Sequence, residues 1–256
     1  MSEKKTQVLL VTGGPYHDAA ESIAGLHNAL AARCDVMQTE KVADLGQLGD
    51  GKFDVAVIYT THREGELTDA LAETLEKFVT NGGGLVGVHA ATGSFTDNER
   101  YMKLIGAQFE SHGPVIEFTV RPTDPEHPVV ARTEAFRITD ELYLMKDHAD
   151  YETFAVAHWQ GRDRPIGYER QVGKGKVLYL GNGHDARATH NPNFQRMLER
   201  AVRVAAGETF DTKVTAGVLG YGGAFNMGKA HSEAIRAQPG MDVVAVCDID
   251  PRRTEQ

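Results

Sequence analysis

Short apolar runs that break off at glycine, alternating with stretches of helical spacing, constrain this chain more than any other feature of its sequence. Gln7-Val8-Leu9-Leu10-Val11-Thr12 ends in Gly13-Gly14. Over residues 18–32 apolar side chains (Ile23, Leu26, Leu30) recur at helical spacing, with Asp18 placed to cap the helix. A second buried run covers residues 53–59. A helix over 67–79 is stopped by Asn81-Gly82-Gly83-Gly84, and Leu85-Val86-Gly87-Val88 is the next strand. Residues 165–170 and 176–180 read as a hairpin turned by Gly173-Lys174-Gly175, and a helix over 193–206 ends at Gly207. This alternation predicts an α/β fold with a mainly parallel sheet covered on both faces.

At ~150 residues per domain, 256 residues allow one large domain or two smaller ones. The balance of 27 Lys and Arg against 36 Asp and Glu gives a net charge of −9. So acidic a chain lacks the basic face that binds a phosphate backbone, and no nucleic-acid partner is expected. No run approaches the ~18 apolar residues of a membrane helix, so no membrane association is expected either. Residues 1–7 carry no signal-peptide core, and Cys34 and Cys247 are too few for a disulfide scaffold. A cytoplasmic protein is expected, with homo-oligomerisation left open.

The pattern shifts at Gly207-Glu208-Thr209-Phe210-Asp211-Thr212-Lys213. This divides the chain into a domain over 7–207, a linker over 208–214 and a second unit over 215–256. In that unit a strand, Thr215-Ala216-Gly217-Val218-Leu219, leads into Gly220-Tyr221-Gly222-Gly223-Ala224, a helix over 229–237 and a strand over 242–247. Asp248 closes the last strand, 28 positions after Gly220. A dinucleotide needs this arrangement: glycines for the turn and for close approach of the pyrophosphate, a helix N-terminus for the phosphates, and an acid for the ribose. The cofactor-binding candidates are therefore Gly220, Gly222, Gly223 and Asp248. Residues 218–223 through His231, with Val246-Cys247-Asp248-Ile249-Asp250-Pro251, resemble the opening of the Gfo/Idh/MocA oxidoreductases. That resemblance implies NAD or NADP as cofactor and a sugar as substrate. Asp248 leans towards NAD, while Arg252 and Arg253 keep NADP open. Phe225 departs from the family's third glycine, and Gly228 follows three positions later, so a longer loop is expected. One βαβ unit of about 40 residues is too small to bury a core alone. The unit is read as the start of a truncated Rossmann domain that should not itself transfer hydride.

Ten of the eleven histidines precede residue 208. His17, His62, His89 and His184 each follow a predicted strand end closely, and in an open α/β sheet the carboxyl ends of strands face the ligand crevice. Two chemistries suit such a set. Neutral imidazoles of His17, His89 and His184, joined by Asp18, Glu141 or Asp185, suit Zn²⁺ or a similar divalent ion. Alternatively His89 and His184 exchange protons with a sugar or keto-sugar, tuned by Asp185 or Glu141. Catalytic candidates are then His89, His184, Asp185 and Glu141, and metal candidates are His17, His89 and His184. Each has a bland counterpart: a loop hydrogen bond for His17, a satisfied buried ring for His89, solvent for His62. His27, His148, His158 and His190 read as structural or surface residues. Asp140-Glu141 reads as a pair of catalytic acids or equally as a helix start, Trp159 with Tyr151 and Phe154 as core, and Arg162-Asp163-Arg164 as a solvated turn.

Four stretches carry a second resemblance: Gly13-Gly14-Pro15-Tyr16-His17-Asp18, residues 82–92, Asp140-Glu141-Leu142-Tyr143 and Gly181-Asn182-Gly183-His184-Asp185. With Leu104-Ile105-Gly106-Ala107-Gln108-Phe109, Ser111-His112 and Glu126-His127-Pro128, they are similar to the ThuA-like family over residues 7–207. Gly113 replaces a proline common in that family, which implies a local loop change. The resemblance implies a flavodoxin-like fold related to class I glutamine amidotransferases, and a role in the utilisation of trehalose and related sugars. Those amidotransferases carry a Cys on a sharp strand-to-helix turn. Here the turn reads Gly87-Val88-His89-Ala90-Ala91, so glutaminase activity is not expected. The partner implied is a small sugar or keto-sugar, and the rival reading is a non-catalytic sugar-binding or scaffolding module. Both chemistries require imidazoles from distant stretches of chain to converge.

Overall fold

A computed structural model describes residues 5–17, 19–209, 213–222, 226–238 and 240–254. The chain opens with β1 (Thr6–Val11), α1 (Ala20–Leu30), β2 (Cys34–Thr39), β3 (Val55–Ile58), α2 (Asp69–Thr80), β4 (Gly84–Val88) and α3 (Glu99–Ile105). Five strands follow without an intervening helix: β5 (Ala107–His112), β6 (Ile116–Pro122), β7 (Phe136–Asp140), β8 (Tyr143–Asp147) and β9 (Glu152–Trp159). Next come β10 (Arg162–Val172), β11 (Gly175–Leu180), α4 (Ala186–Thr189) and α5 (Pro192–Ala205). The last elements are β12 (Val214–Leu219), α6 (Met227–Arg236) and β13 (Met241–Cys247).

Nine strands form one sheet in the order β2-β1-β3-β4-β11-β10-β9-β6-β7. The first five are mutually parallel. The expectation of a mainly parallel sheet needs correction here: β10, β9, β6 and β7 extend it in antiparallel fashion, so the fold is mixed α/β. Period-two alternation along β1 feeds two cores. Val8 and Leu10 pack with Leu26, Leu30, Phe194 and Leu198 of α1 and α5. Leu9 and Val11 face the other way, into a layer with Leu75 and Val79 of α2 and Ile105 of α3. Each such buried side chain contributes about 1.5–3 kcal/mol.

The antiparallel flank does not lie flat. In strand order β7 stands four places from β11, roughly 19 Å in a flat sheet at the usual strand spacing. Yet the Asp140 carboxylate at the end of β7 accepts the Gly183 N–H beyond β11 at 2.9 Å. The flank curls back over the parallel half. A bulge in β10 at Pro165–Gly167 supplies bend and twist. Gly167 is required there because a Cβ would lie 2.2 Å from the Phe154 ring.

Local expectations are adjusted elsewhere. Asp18 lies outside the described residues, and α1 starts at Ala20 without a side-chain cap. Asp140-Glu141 ends a strand rather than starting a helix, and Arg162-Asp163-Arg164 is the paired start of β10 rather than a turn. β12 and β13 pair in parallel around α6 as a separate two-stranded sheet. No helix among the described residues is long and apolar enough to cross a membrane.

Candidate functional site

Three of the four strand-end histidines converge. His17 sits in the loop after β1, His89 directly follows β4, and His184 lies in the loop after β11. Ring centroids are 4.8 Å apart for His17 and His89, 4.7 Å for His17 and His184, and 5.6 Å for His89 and His184. Glu141, carried in by the curled flank, completes the group. One ligand atom from each of His17, His89, Glu141 and His184 falls within 4.8 Å of all the others.

The backbone fixes two of these rings. His17 Nδ1 donates to the His184 carbonyl at 2.9 Å, and His89 Nδ1 donates to the Gly181 carbonyl at 2.8 Å. A carbonyl only accepts, so Nδ1 carries a proton in both rings, and Nε2 is the nitrogen left to face the cluster. His89 is 0% exposed, and its Nε2 has no hydrogen-bond partner among the described residues. It faces Glu141 Oε2 at 3.7 Å. His184 Nδ1 approaches the same oxygen at 3.2 Å, although off the angle of a hydrogen bond. The other oxygen, Oε1, lies 2.7 Å from His112 Nδ1 on β5.

Electrostatics separate the members. Burial, and then the neighbouring His89, holds His17 down to about 4, so it is neutral at neutral pH. Burial works against ionisation of Glu141, but contact with His184 and His89 outweighs it and keeps the carboxyl well below the usual carboxylate range. The same contact raises His184 above its ordinary value. Tyr143 lies over His89 with centroids 4.0 Å apart, and its hydroxyl is 3.5 Å from His17 Nε2. The cluster opens into a cavity of about 590 Å³ whose walls include Tyr16, His62, Phe109, His112, Tyr143 and Asp185.

Not every predicted residue joins. His62 stands on the rim, 3.6 Å from Glu64 and edge-on to Tyr16. The Asp185 carboxylate caps α4 and is held by Arg187, so it borders the cavity without entering the cluster. His27, His148, His158 and His190 bond to Gln38, Gln108, Asp163 and the Glu21 carbonyl, away from the site. Cys34 starts β2, its thiol pushed up to about 12 chiefly by burial, and Cys247 ends β13; neither belongs to the cluster. Sequence reasoning missed His112 and Tyr143 as members of the site, and weighed Asp140 only as an acid paired with Glu141 rather than as the acceptor it is. All three lie in the stretches that carried the family resemblance, but only the curl of the flank gives them a place.

In the C-terminal unit Gly220 has a φ of 82° and turns the chain out of β12. Gly223 lies outside the described residues. Asp248 follows β13, and its carboxylate accepts N–H bonds from Gly222 at 2.9 Å and Asp250 at 3.0 Å. Gly228 at the start of α6 packs so closely that a Cβ would meet the Gly220 carbonyl at 2.3 Å.

By class this is a mixed α/β protein whose strand ends gather a three-imidazole, one-carboxylate cluster beside a cavity. The chain belongs to the ThuA family, described as trehalose utilisation, whose sequence profile matches residues 7–205. Its fold is similar to a ThuA-like protein from Parabacteroides merdae (TM-score 0.69, 22% identity, covering 79% of this chain and 90% of that one). A ThuA-like protein from Bacteroides uniformis is also similar (TM-score 0.65, 19% identity, 79% and 92% covered). So is a cytoplasmic protein from Salmonella typhimurium (TM-score 0.58, 10% identity, 78% and 99% covered). No curated protein matches the chain.

Proposed function

We propose that this chain is a divalent-metal enzyme of carbohydrate metabolism, with His17, His89, His184 and Glu141 holding an ion such as Zn²⁺ and a sugar or keto-sugar bound in the adjoining cavity. The observation that carries this reading is the buried, unpartnered Nε2 of His89, set with three other donors from separate segments. Leaving such an atom unsatisfied costs about 1–3 kcal/mol, and an ion removes that cost. Three imidazole nitrogens and a carboxylate are a donor set that suits Zn²⁺ and its neighbours. A bound ion would supply Lewis acidity, polarising a sugar carbonyl or hydroxyl. Around it, Tyr143 and His112 are placed to orient the sugar.

The flavodoxin-like description of the main domain belongs to the same reading, supported by the order of its five parallel strands, β2-β1-β3-β4-β11. So does the assignment of residues 215–256 to the start of a Gfo/Idh/MocA domain for NAD or NADP, supported by Gly220, Gly228 and the closing Asp248. A joint task follows, in which one unit oxidises a sugar and the other processes the keto-sugar. Cytoplasmic location completes the proposal, and homo-oligomerisation stays open.

Metal analysis of the purified protein tests it. One equivalent of a divalent ion is expected, lost in His89→Ala, with turnover of a keto-sugar lost in parallel while the fold is kept. A metal-free protein whose His89→Ala and His184→Ala variants turn over unchanged would end the reading. Sugar affinity without turnover or metal would favour the non-catalytic binding module.

A further inference from the structure

We infer that Asp140 is the positioning residue of the cluster, setting Glu141 and all three histidines through the backbone of residues 181–184. Asp140 is 0% exposed. Its Oδ1 accepts the N–H of Glu141 at 2.9 Å and of His184 at 3.0 Å. Its Oδ2 accepts the N–H of Gly183 at 2.9 Å and Asn182 Nδ2 at 3.0 Å. Four donors thus converge on one carboxylate, and two of them belong to the residues that carry Glu141 and His184.

The same short segment aims its carbonyls at the rest of the site. Gly181 O receives His89 Nδ1, His184 O receives His17 Nδ1, and Gly183 O receives the Tyr59 hydroxyl at 2.8 Å. Donors on one side meet Asp140, and acceptors on the other fix the tautomer and tilt of two imidazoles. Gly183, at φ 130°, has little room to move: a Cβ there would already lie 3.1 Å from Val88 Cγ1. The segment is held between strand β4 and the Asp140 carboxylate, so the position of that carboxylate sets the spacing of the cluster.

An amide at position 140 has nearly the same shape but one acceptor oxygen. It can serve the Glu141 and His184 pair or the Gly183 and Asn182 pair, while its NH2 faces donors on the other side. Asp140→Asn therefore loosens the segment without removing any candidate ligand. The inference rests on the metal-centre reading for its functional meaning, but the geometry it invokes stands without an ion.

Two measurements on the full chain test it. In metal-free protein, long-range ¹H–¹⁵N spectra of the histidine rings should show His17 and His89 as Nδ1–H tautomers. Asp140→Asn should shift both, including His17, whose ring has no hydrogen bond to Asp140. Ile138→Val, a core substitution on the same strand, should lower stability and leave the tautomers unchanged. By calorimetry Asp140→Asn should weaken Zn²⁺ binding about 10-fold to 100-fold. The double variant Asp140→Asn/Asn182→Asp, which returns a carboxylate to the same pocket, should recover part of that loss. If Asp140→Asn does not fold, Asn182→Ala, which removes one donor, should move the same signals by a smaller amount. Unchanged His17 and His89 signals in whichever variant folds would overturn the inference. A wild-type chain that binds no Zn²⁺ but shows the tautomer shifts would overturn the metal reading alone.

Discussion

Three histidines of the site region, His17, His62 and His89, have φ of 63°, 47° and 43°. Such backbone costs about 1–3 kcal/mol per residue and persists where surrounding contacts over-determine it. For His89 the contacts are visible: a fully packed strand before it, the Gly181 carbonyl on its ring, and the Tyr179 hydroxyl donating to its own carbonyl at 2.8 Å. The loop carrying His17 depends on Gly14, whose φ is 97° and where a Cβ would lie 2.2 Å from the Thr61 carbonyl. Gly14→Ala is expected to destabilise the protein by about 2–4 kcal/mol, read as a lower urea midpoint with unchanged slope. At this scale the sequence was partly legible. Imidazoles placed just past apolar runs announced His17, His89 and His184, because a run that stops at the sheet rim must leave the next side chain at the crevice. Nothing local announced the acceptor role of Asp140, whose value comes from partners 42 to 44 positions away.

Elements with one strong period were the legible ones. Residues 193–206 repeat apolar positions at helical spacing, and α5 buries Phe194, Met197, Leu198, Ala201 and Val202 as that spacing requires. Its N-terminus is held by Asn191, whose side chain accepts from Asn193 and Phe194 while its amide reaches the Arg137 carbonyl on β7. Asn191→Ala should cost about 1–2 kcal/mol, seen as a drop of a few degrees in Tm. Apart from β10, read with β11 as a hairpin, the flank strands were illegible for an equally physical reason. β6 buries only alternate residues and shows charged ones, Glu117 and Arg121, to solvent. Runs so short and mixed read as loop until a partner strand is known. Their pairing over long sequence separation then fixes what local preference leaves open.

Across the whole molecule, the nine-stranded sheet and the β12–β13 pair form separate hydrogen-bonded sheets. A two-stranded sheet is marginal alone, whereas the larger sheet has both faces packed. A chain ending at residue 209 should therefore keep its main unfolding transition within about 3 °C, while a peptide of residues 213–254 should be unfolded by circular dichroism. A main transition lowered by ten degrees or more would show that the small sheet braces the large one. The α/β class and the ThuA kinship were readable from the alternation and the motifs. Beyond the β10–β11 hairpin the antiparallel pairing was not, because nothing in a strand's own residues states the direction of a neighbour distant in sequence.

The curl of the flank has a consequence for how such a molecule fails. The imidazoles ride on the parallel half, while the acid that completes them and the carboxylate that holds residues 182–184 both arrive from the curled flank. Should the flank part from that half, through heat, proteolysis or a slip at the β10 bulge, the fourth corner would empty and the segment beneath two rings would lose its anchor in the same event. The cluster would come undone well before the parallel strands did.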